Sequence, residues 1–170
     1  MLNLNRIAPM QEDLEKLGMT LAGGAIVRAL HKEPPGVYDY WGSWESVIAA
    51  AEMLDRAGWI KKPGHINPTF VSPKEKQVIQ LCLKFLGPVR ETISKFDLSC
   101  CALFIKDGEV HEAIAGAAMD CFYKRFKIMN RGITTRSRVE KYVGRGFKIT
   151  GGEEHLKGPV TVGMVGMISG

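Results

Sequence analysis

The sequence predicts an α/β (α+β) domain, a mixed sheet of about four or five strands flanked by helices and followed by a glycine-rich apolar tail. Three observations predict it. Short runs rich in β-branched and aromatic residues alternate with segments whose apolar positions recur at helical spacing. Glycine and proline clusters separate the two kinds of segment. The 170 residues, 45% hydrophobic and 24% charged, suit one globular domain with a core of its own.

The elements follow in chain order. Over residues 10–17, Met10, Leu14 and Leu17 recur at helical spacing, and Gly18 supplies a stop. Residues 19–21 make a short apolar strand that runs into Gly23-Gly24, after which 25–30 restart a helix ending before Pro34-Pro35-Gly36. Val37-Tyr38-Asp39-Tyr40-Trp41 suits a strand with Asp39 on the face of Val37 and Trp41. Ser43 is placed to cap a helix over 45–57 that Gly58 closes. Strands are predicted over 67–71 and 77–83, with a turn at Pro73, and a short helix over 88–95 with Pro88 near its first turn. The apolar run 98–105 reads as a buried strand that Asp107-Gly108 turns into a hairpin returning through Val110. Helices are predicted over 112–119 and over 135–142, the second basic on its polar side and ended by Gly144. Residues 1–150 form the domain. Residues 151–170 form the tail, whose glycine-interrupted apolar end is expected to pack on this domain or on a partner.

Composition narrows the function classes. No apolar run approaches the ~20 residues that span a bilayer, and the N-terminus lacks the basic-then-apolar pattern of a secretory signal, so a cytoplasmic protein is expected. Cys82, Cys100, Cys101 and Cys121 lie in apolar or helical stretches without a CxxC pair and read as reduced core thiols. The histidines stand singly, without the spacing of a metal-binding helix. The tryptophans, Trp41, Trp44 and Trp59, read as core or partly buried packing residues. The net charge of +5 is unevenly placed: from Lys124 to Lys148 nine basic residues face one acid, Glu140. Such a segment attracts polyanions, and it is also what a solvated, arginine-rich helix face looks like. Within it, Lys124, Arg125, Arg136, Arg138, Lys141 and Arg145 are expected to form an exposed positive face.

A glycine turn entering a helix, followed by a strand bearing a carboxylate, suits nucleotide chemistry. The turn lets backbone N–H groups approach a triphosphate, and strand carboxylates hold divalent ions between phosphates and an attacking hydroxyl. Structural turns of this kind are also common.

Several segments occur in one order: Ala22-Gly23-Gly24-Ala25-Ile26-Val27-Arg28, Val37-Tyr38-Asp39-Tyr40-Trp41, Val78-Ile79-Gln80, Phe96-Asp97-Leu98-Ser99-Cys100-Cys101 with Asp107-Gly108, Arg138-Val139-Glu140-Lys141-Tyr142 and Arg145-Gly146-Phe147. In this the chain resembles the nucleotidyltransferase-fold proteins of phages and large DNA viruses, relatives of the tRNA CCA-adding and poly(A) polymerase group, over roughly residues 19–149. The resemblance implies a nucleotidyltransferase-like mixed sheet, with Gly23 and Gly24 at the triphosphate-side turn and Arg28 nearby. It implies that Asp39 is the second carboxylate of an Asp-x-Asp pair that binds Mg²⁺, and that Asp97 is either a further acidic group of the site or a structural residue. Asp39 and Asp97 are then expected on neighbouring central strands.

The chain departs from the family at two places. Val37 stands where the first carboxylate belongs, and Arg28 sits one place late, followed by Ala29. Losing one anionic ligand costs about 3–4 kcal/mol of transition-state stabilisation by analogy with other single-group losses. The expectation is therefore a catalytically impaired interaction protein, an accessory or particle-associated protein of a virus or phage, partnered through its basic face or its tail and located in host cytoplasm or virion. The alternative is an active Mg²⁺-dependent enzyme that transfers a nucleoside monophosphate from a triphosphate, with Glu33 or Glu45 supplying the missing ligand.

Overall fold

The computed structural model describes residues 3–74, 76–84 and 87–156. Its first half alternates α1 (Gln11–Lys16), β1 (Thr20–Leu21), α2 (Gly24–Leu30), β2 (Val37–Trp41), α3 (Trp44–Arg56), β3 (Ile60–Lys61), β4 (Thr69–Val71) and β5 (Val78–Cys82). The second half holds α4 (Val89–Ser94), a 3₁₀ turn (Ser99–Cys101), β6 (Leu103–Lys106), β7 (Glu109–Glu112), α5 (Ala117–Phe122), β8 (Arg125–Lys127), α6 (Thr135–Gly144), β9 (Lys148–Gly151) and a second 3₁₀ turn (Glu153–Leu156). A five-stranded mixed sheet runs in the order β1-β2-β5-β4-β3, as the alternating pattern predicts. Only its central pair, β2 and β5, is parallel, with Asp39 opposite Gln80.

Strand β2 is paired on both edges, with β1 and with β5, and its alternation is regular. Tyr38 and Tyr40 turn to the buried side, while Asp39 and Trp41 stay half-buried and Val37 exposed. On the core side α3 lays Val47, Ala50 and Leu54, three to four residues apart, against a cluster with Tyr40, Ile79 and Leu81. The Ser43 hydroxyl accepts the Ser46 N–H at 3.2 Å and fixes the start of α3. All four cysteines are free, buried thiols. Two isolated bridges, Ala22 with Phe104 and Leu98 with Ile128, stitch the β6–β7 hairpin and the parallel β8–β9 pair onto the rest.

Four expectations need correction. The run 98–105 is not one strand: Cys101 and Ala102 donate back to Leu98 and Ser99, closing a 3₁₀ turn before β6 begins. Hydrophobicity alone does not separate a buried strand from a buried turn. Nor is 112–119 helical throughout. Glu112 pairs with Leu103 in β7, its carboxylate accepts the Ala118 N–H at 2.8 Å, and Gly116 at φ +86° precedes α5. Trp44 opens α3 with 63% of its surface exposed, so it is not a core residue. Finally, Asp97 lies between α4 and the 3₁₀ turn, not on a strand beside β2.

The tail begins inside the fold. β9 ends at Gly151, Leu156 packs against the core, and its carbonyl accepts from Arg136 at 2.9 Å. Residues 157–170, the apolar end, lie outside the described residues. No helix among the described residues is long and apolar enough to cross a membrane.

Candidate anion-binding cleft

The glycine turn is built by two strands. Ala22 donates its N–H to the Asp39 carbonyl at 3.2 Å and Gly23 donates to the Leu103 carbonyl at 3.0 Å, so the turn is pinned between β2 and β6. Gly23 has φ 84° and ψ −141°, a conformation open to glycine alone, and a Cβ there would meet the Phe96 ring at 3.3 Å. At Gly24 a Cβ would meet the Tyr142 hydroxyl at 3.1 Å. Gly23 and Gly24 therefore let α2 start directly under α6.

Helix α6 presents Arg138, Lys141, Tyr142 and Arg145 at i, i+3, i+4 and i+7, one stripe of its surface. Three of these cations and Arg28 of α2 crowd one another. Burial and the repulsion of Arg28, Arg145 and Arg138 together push the Lys141 ammonium below its ordinary value. Arg28 is tethered, donating to the Pro34 carbonyl at 3.3 Å and lying 3.7 Å from Glu33. Glu33 is the shared counter-ion. It accepts two bonds from Arg145, at 3.2 and 2.8 Å, and lies 3.9 Å from Lys124. Burial pushes its carboxyl up, but Arg145, Lys124 and Arg28 outweigh that and hold it below the usual range. Arg145 also lies over the rings of Tyr142 and Phe147, 4.8 and 5.6 Å from their centroids.

Asp39 lies within electrostatic reach of Arg138 and Lys141 of this stripe. As a residue it is half-buried, yet its Oδ1 is shielded and accepts no hydrogen bond. Burial pushes its carboxyl up to about 6, against the opposing pull of Arg138 and Lys141. Two residues earlier on the same strand face stands Val37, 43% exposed. Asp97 is committed elsewhere: it accepts from the Thr135 hydroxyl at 2.9 Å and lies 3.5 Å from Arg138. Arg138 is the link between the two acids, paired with Asp97 and acting electrostatically on Asp39.

Donor chemistry tests whether this place fits a pair of Mg²⁺ ions. Such ions need several oxygen donors converging on one point. Among the described residues no group of three or more His, Cys, Asp or Glu side chains could hold a metal. One carboxylate beside an arginine and a lysine does not fit.

The predicted positive face is divided and partly covered. Arg138, Lys141 and Arg145 gather with Arg28 and Lys124, but only 14% of the Arg145 side chain is exposed because Glu33 and the aromatic rings enclose it. Arg125 is paired with Asp120 at 2.9 Å and Arg136 with the Leu156 carbonyl. The sequence offers Glu33 only as a substitute metal ligand, and no local signal marks it as the counter-ion of Arg145, 112 positions away.

No protein-family model matches the chain, and no curated protein does. Solved structures do. The Thermotoga maritima CCA-adding enzyme complexed with tRNA-CCA superposes with a TM-score of 0.65 at 13% identity, covering 91% of this chain and 44% of that one. A tRNA nucleotidyltransferase complexed with a primer tRNA and an incoming ATP analog gives 0.61 at 16%, over 82% and 46%. A complex of a CCA-adding enzyme with CTP gives 0.60 at 14%, over 88% and 43%. The fold is a nucleotidyltransferase fold. This nucleotidyltransferase-fold chain spans under half the length of those enzymes, and at such identity the likeness is one of fold. The chemistry rests on its own residues.

Proposed function

We propose that this nucleotidyltransferase-fold domain is impaired as a transferase and binds the phosphates of a nucleotide or nucleic acid through Arg28, Arg138, Lys141 and the turn at Gly23 and Gly24, without a divalent ion. An accessory or particle-associated role in a virus or phage is the setting implied by the sequence resemblance. One observation carries the reading: where a metal-binding carboxylate pair is expected, Asp39 stands with Val37 on its strand face and with Arg138 and Lys141 as its charged neighbours. Arg28, Lys124, Arg138, Lys141 and Arg145 outnumber the acids among them, Glu33, Asp39 and Asp97, and this positive balance favours an anion over a cation.

Calorimetric titration with a nucleoside triphosphate and with tripolyphosphate tests this. Binding should persist in EDTA and weaken as salt rises, because phosphate contacts are screened and exchange with counter-ions. Asp39→Asn removes a like charge from beside the ligand and should tighten binding about tenfold at pH 7.5, an effect of about 1.4 kcal/mol. Binding that needs Mg²⁺ and is lost in Asp39→Asn overturns the proposal.

The sign of the pH effect on stability follows from Asp39. Its folded-state value of about 6 exceeds the ordinary 3.8, so its contribution to stability is fully present below the ordinary value and is lost as pH rises through about 6. Asp39→Asn should therefore leave the thermal midpoint nearly unchanged at pH 4 and raise stability by up to about 3 kcal/mol at pH 7.5. Thermal unfolding at both pH values measures it.

The active reading has one observation in its favour, the shielded Asp39 Oδ1 that accepts no hydrogen bond. If the defect lies in the carboxylate pair, Val37→Asp should raise Mg²⁺-dependent triphosphate binding or nucleotidyl transfer, since residues two apart share a strand face. Robust wild-type transfer in Mg²⁺ that Asp39→Asn abolishes would establish the active enzyme, with Glu33 or Glu45 as the ligand to seek.

A further inference from the structure

Helix α5 carries an apolar surface that the cleft does not use. Met119, Phe122 and Tyr123 fall at i, i+3 and i+4 and leave 50%, 70% and 56% of their surface exposed. Single exposed apolar residues are ordinary, whereas three on one helical turn make a patch. The Phe122 and Tyr123 rings meet edge to face with centroids 5.0 Å apart. Behind Tyr123 lies a chain of anchors. The buried Ser99 hydroxyl donates to Asp120 Oδ2 at 2.7 Å, Arg125 Nε donates to Asp120 Oδ1 at 2.9 Å, and the Arg125 guanidinium lies over the Tyr123 ring at 5.1 Å. Asp120 is 9% exposed, so the cation that braces the ring is itself tied to the core.

Cations predominate at the rim of the patch. Lys124 follows Tyr123 directly, and β8 places Arg125 and Lys127 on one strand face. Pairing of β8 with β9 sets Lys148 beside Arg125. The nearby acids are engaged, Asp120 by Arg125 and Ser99, Glu33 by Arg145 and Lys124. Aromatic rings beside exposed lysines, Lys127 and Lys148, suit a single strand of nucleic acid, with π-faces for bases and cations for the backbone. A duplex keeps its base faces inside its own stack.

We infer that this surface binds single-stranded nucleic acid, with bases stacked on Phe122 and Tyr123 and phosphates on Lys127 and Lys148. It is independent of the proposal for the Asp39 cleft, and both can be measured on the same variants. Fluorescence anisotropy with labelled oligo-dT and oligo-U of about 12 nucleotides, and with a duplex of equal length, reads the affinity. Phe122→Ala with Tyr123→Ala should weaken single-strand binding about 10- to 100-fold while changing duplex binding little. Lys127→Ala and Lys148→Ala should each lower the slope of log affinity against log salt by about 0.7. Phe122→Leu with Tyr123→Leu keeps the apolar bulk and removes the flat rings, so its loss of affinity stands even if the alanine pair lowers the unfolding midpoint.

Tripolyphosphate binding should be unchanged in every one of these variants, which separates failure of this surface from failure of the cleft. Three results overturn the inference. The first is single-strand affinity unchanged in both ring variants, and the second is equal loss on duplex and single strand. The third is no single-strand binding by the wild-type chain in low salt, including the case where sedimentation shows a self-association that the ring variants abolish.

Discussion

Gly152→Ala is expected to destabilise the domain by about 4 kcal/mol, the upper range for a single substitution. Gly152 has φ +79°, where a Cβ is strained in any case. Space is the larger part. A Cβ there would lie 1.9 Å from the Ile128 carbonyl oxygen and 2.9 Å from its nitrogen, backbone atoms that cannot swing aside. The Ile128 N–H donates to the Gly151 carbonyl at 2.9 Å, and Leu98 bridges to Ile128, so relief would unpair β9 and pull on the strand junction beside Asp97. Urea unfolding should show a lower midpoint with an unchanged slope. Gly58→Ala is the control, because Gly58 has φ +89° but nothing within 4 Å of its Cβ position, so it carries the strain without the clash. Equal effects at the two glycines would show that the contact with Ile128 does not matter.

Asp97→Ala should cost about 3 kcal/mol. Asp97 is buried and holds two partners in place, the fully buried Thr135 hydroxyl and the Arg138 guanidinium. Removing it strands a hydroxyl and releases an arginine that is 37% exposed in its side chain, which is why the expected figure stands at the low end for a broken buried pair. Asp97→Asn keeps an acceptor for Thr135 and should cost about 1–2 kcal/mol. This is the behaviour of a positioning residue that orients Arg138 towards the cleft. A metal-binding Asp97 would behave in the opposite way, with Asp97→Asn near neutral for stability and severe for Mg²⁺-dependent binding.

What was legible in the sequence was local. β2 was readable because two buried tyrosines alternate with three residues of the other face over five positions, and α3 because Ser43 caps a run of apolar residues at helical spacing. Arg138 and Lys141 were readable as the basic side of a helix over 135–142, whereas Arg145 falls beyond that helix's expected end at Gly144. The strands β8 and β9 were not readable. Arg125-Phe126-Lys127 has one buried side chain, and its strand character comes from a parallel partner more than twenty residues later. The site divided along the same line. The glycine turn is joined to the Asp39 backbone through Ala22, while Asp97 turned towards Thr135 and Arg138, and Glu33 gathered Arg28, Lys124 and Arg145. Those choices depend on contacts between distant segments, which no local pattern encodes.

The bond between Glu33 and Arg145 closes a loop of 112 residues, and it has a consequence for the order in which the molecule is made. The glycine turn and Asp39 emerge early from a ribosome, whereas Arg138, Lys141 and Arg145 are synthesised long after them. The chain therefore carries a half-built cleft, an acid without its cations, until α6 docks. Doubling the length of such a loop adds only about 0.6 kcal/mol of closure entropy, so the wait is a matter of time more than of equilibrium. Late non-local closure of this kind slows folding. An anion that binds only the docked form then favours it by mass action, more strongly as its concentration rises above the dissociation constant. Under the anion binding proposed above, tripolyphosphate should therefore raise the fraction of refolding chains in which α6 is docked.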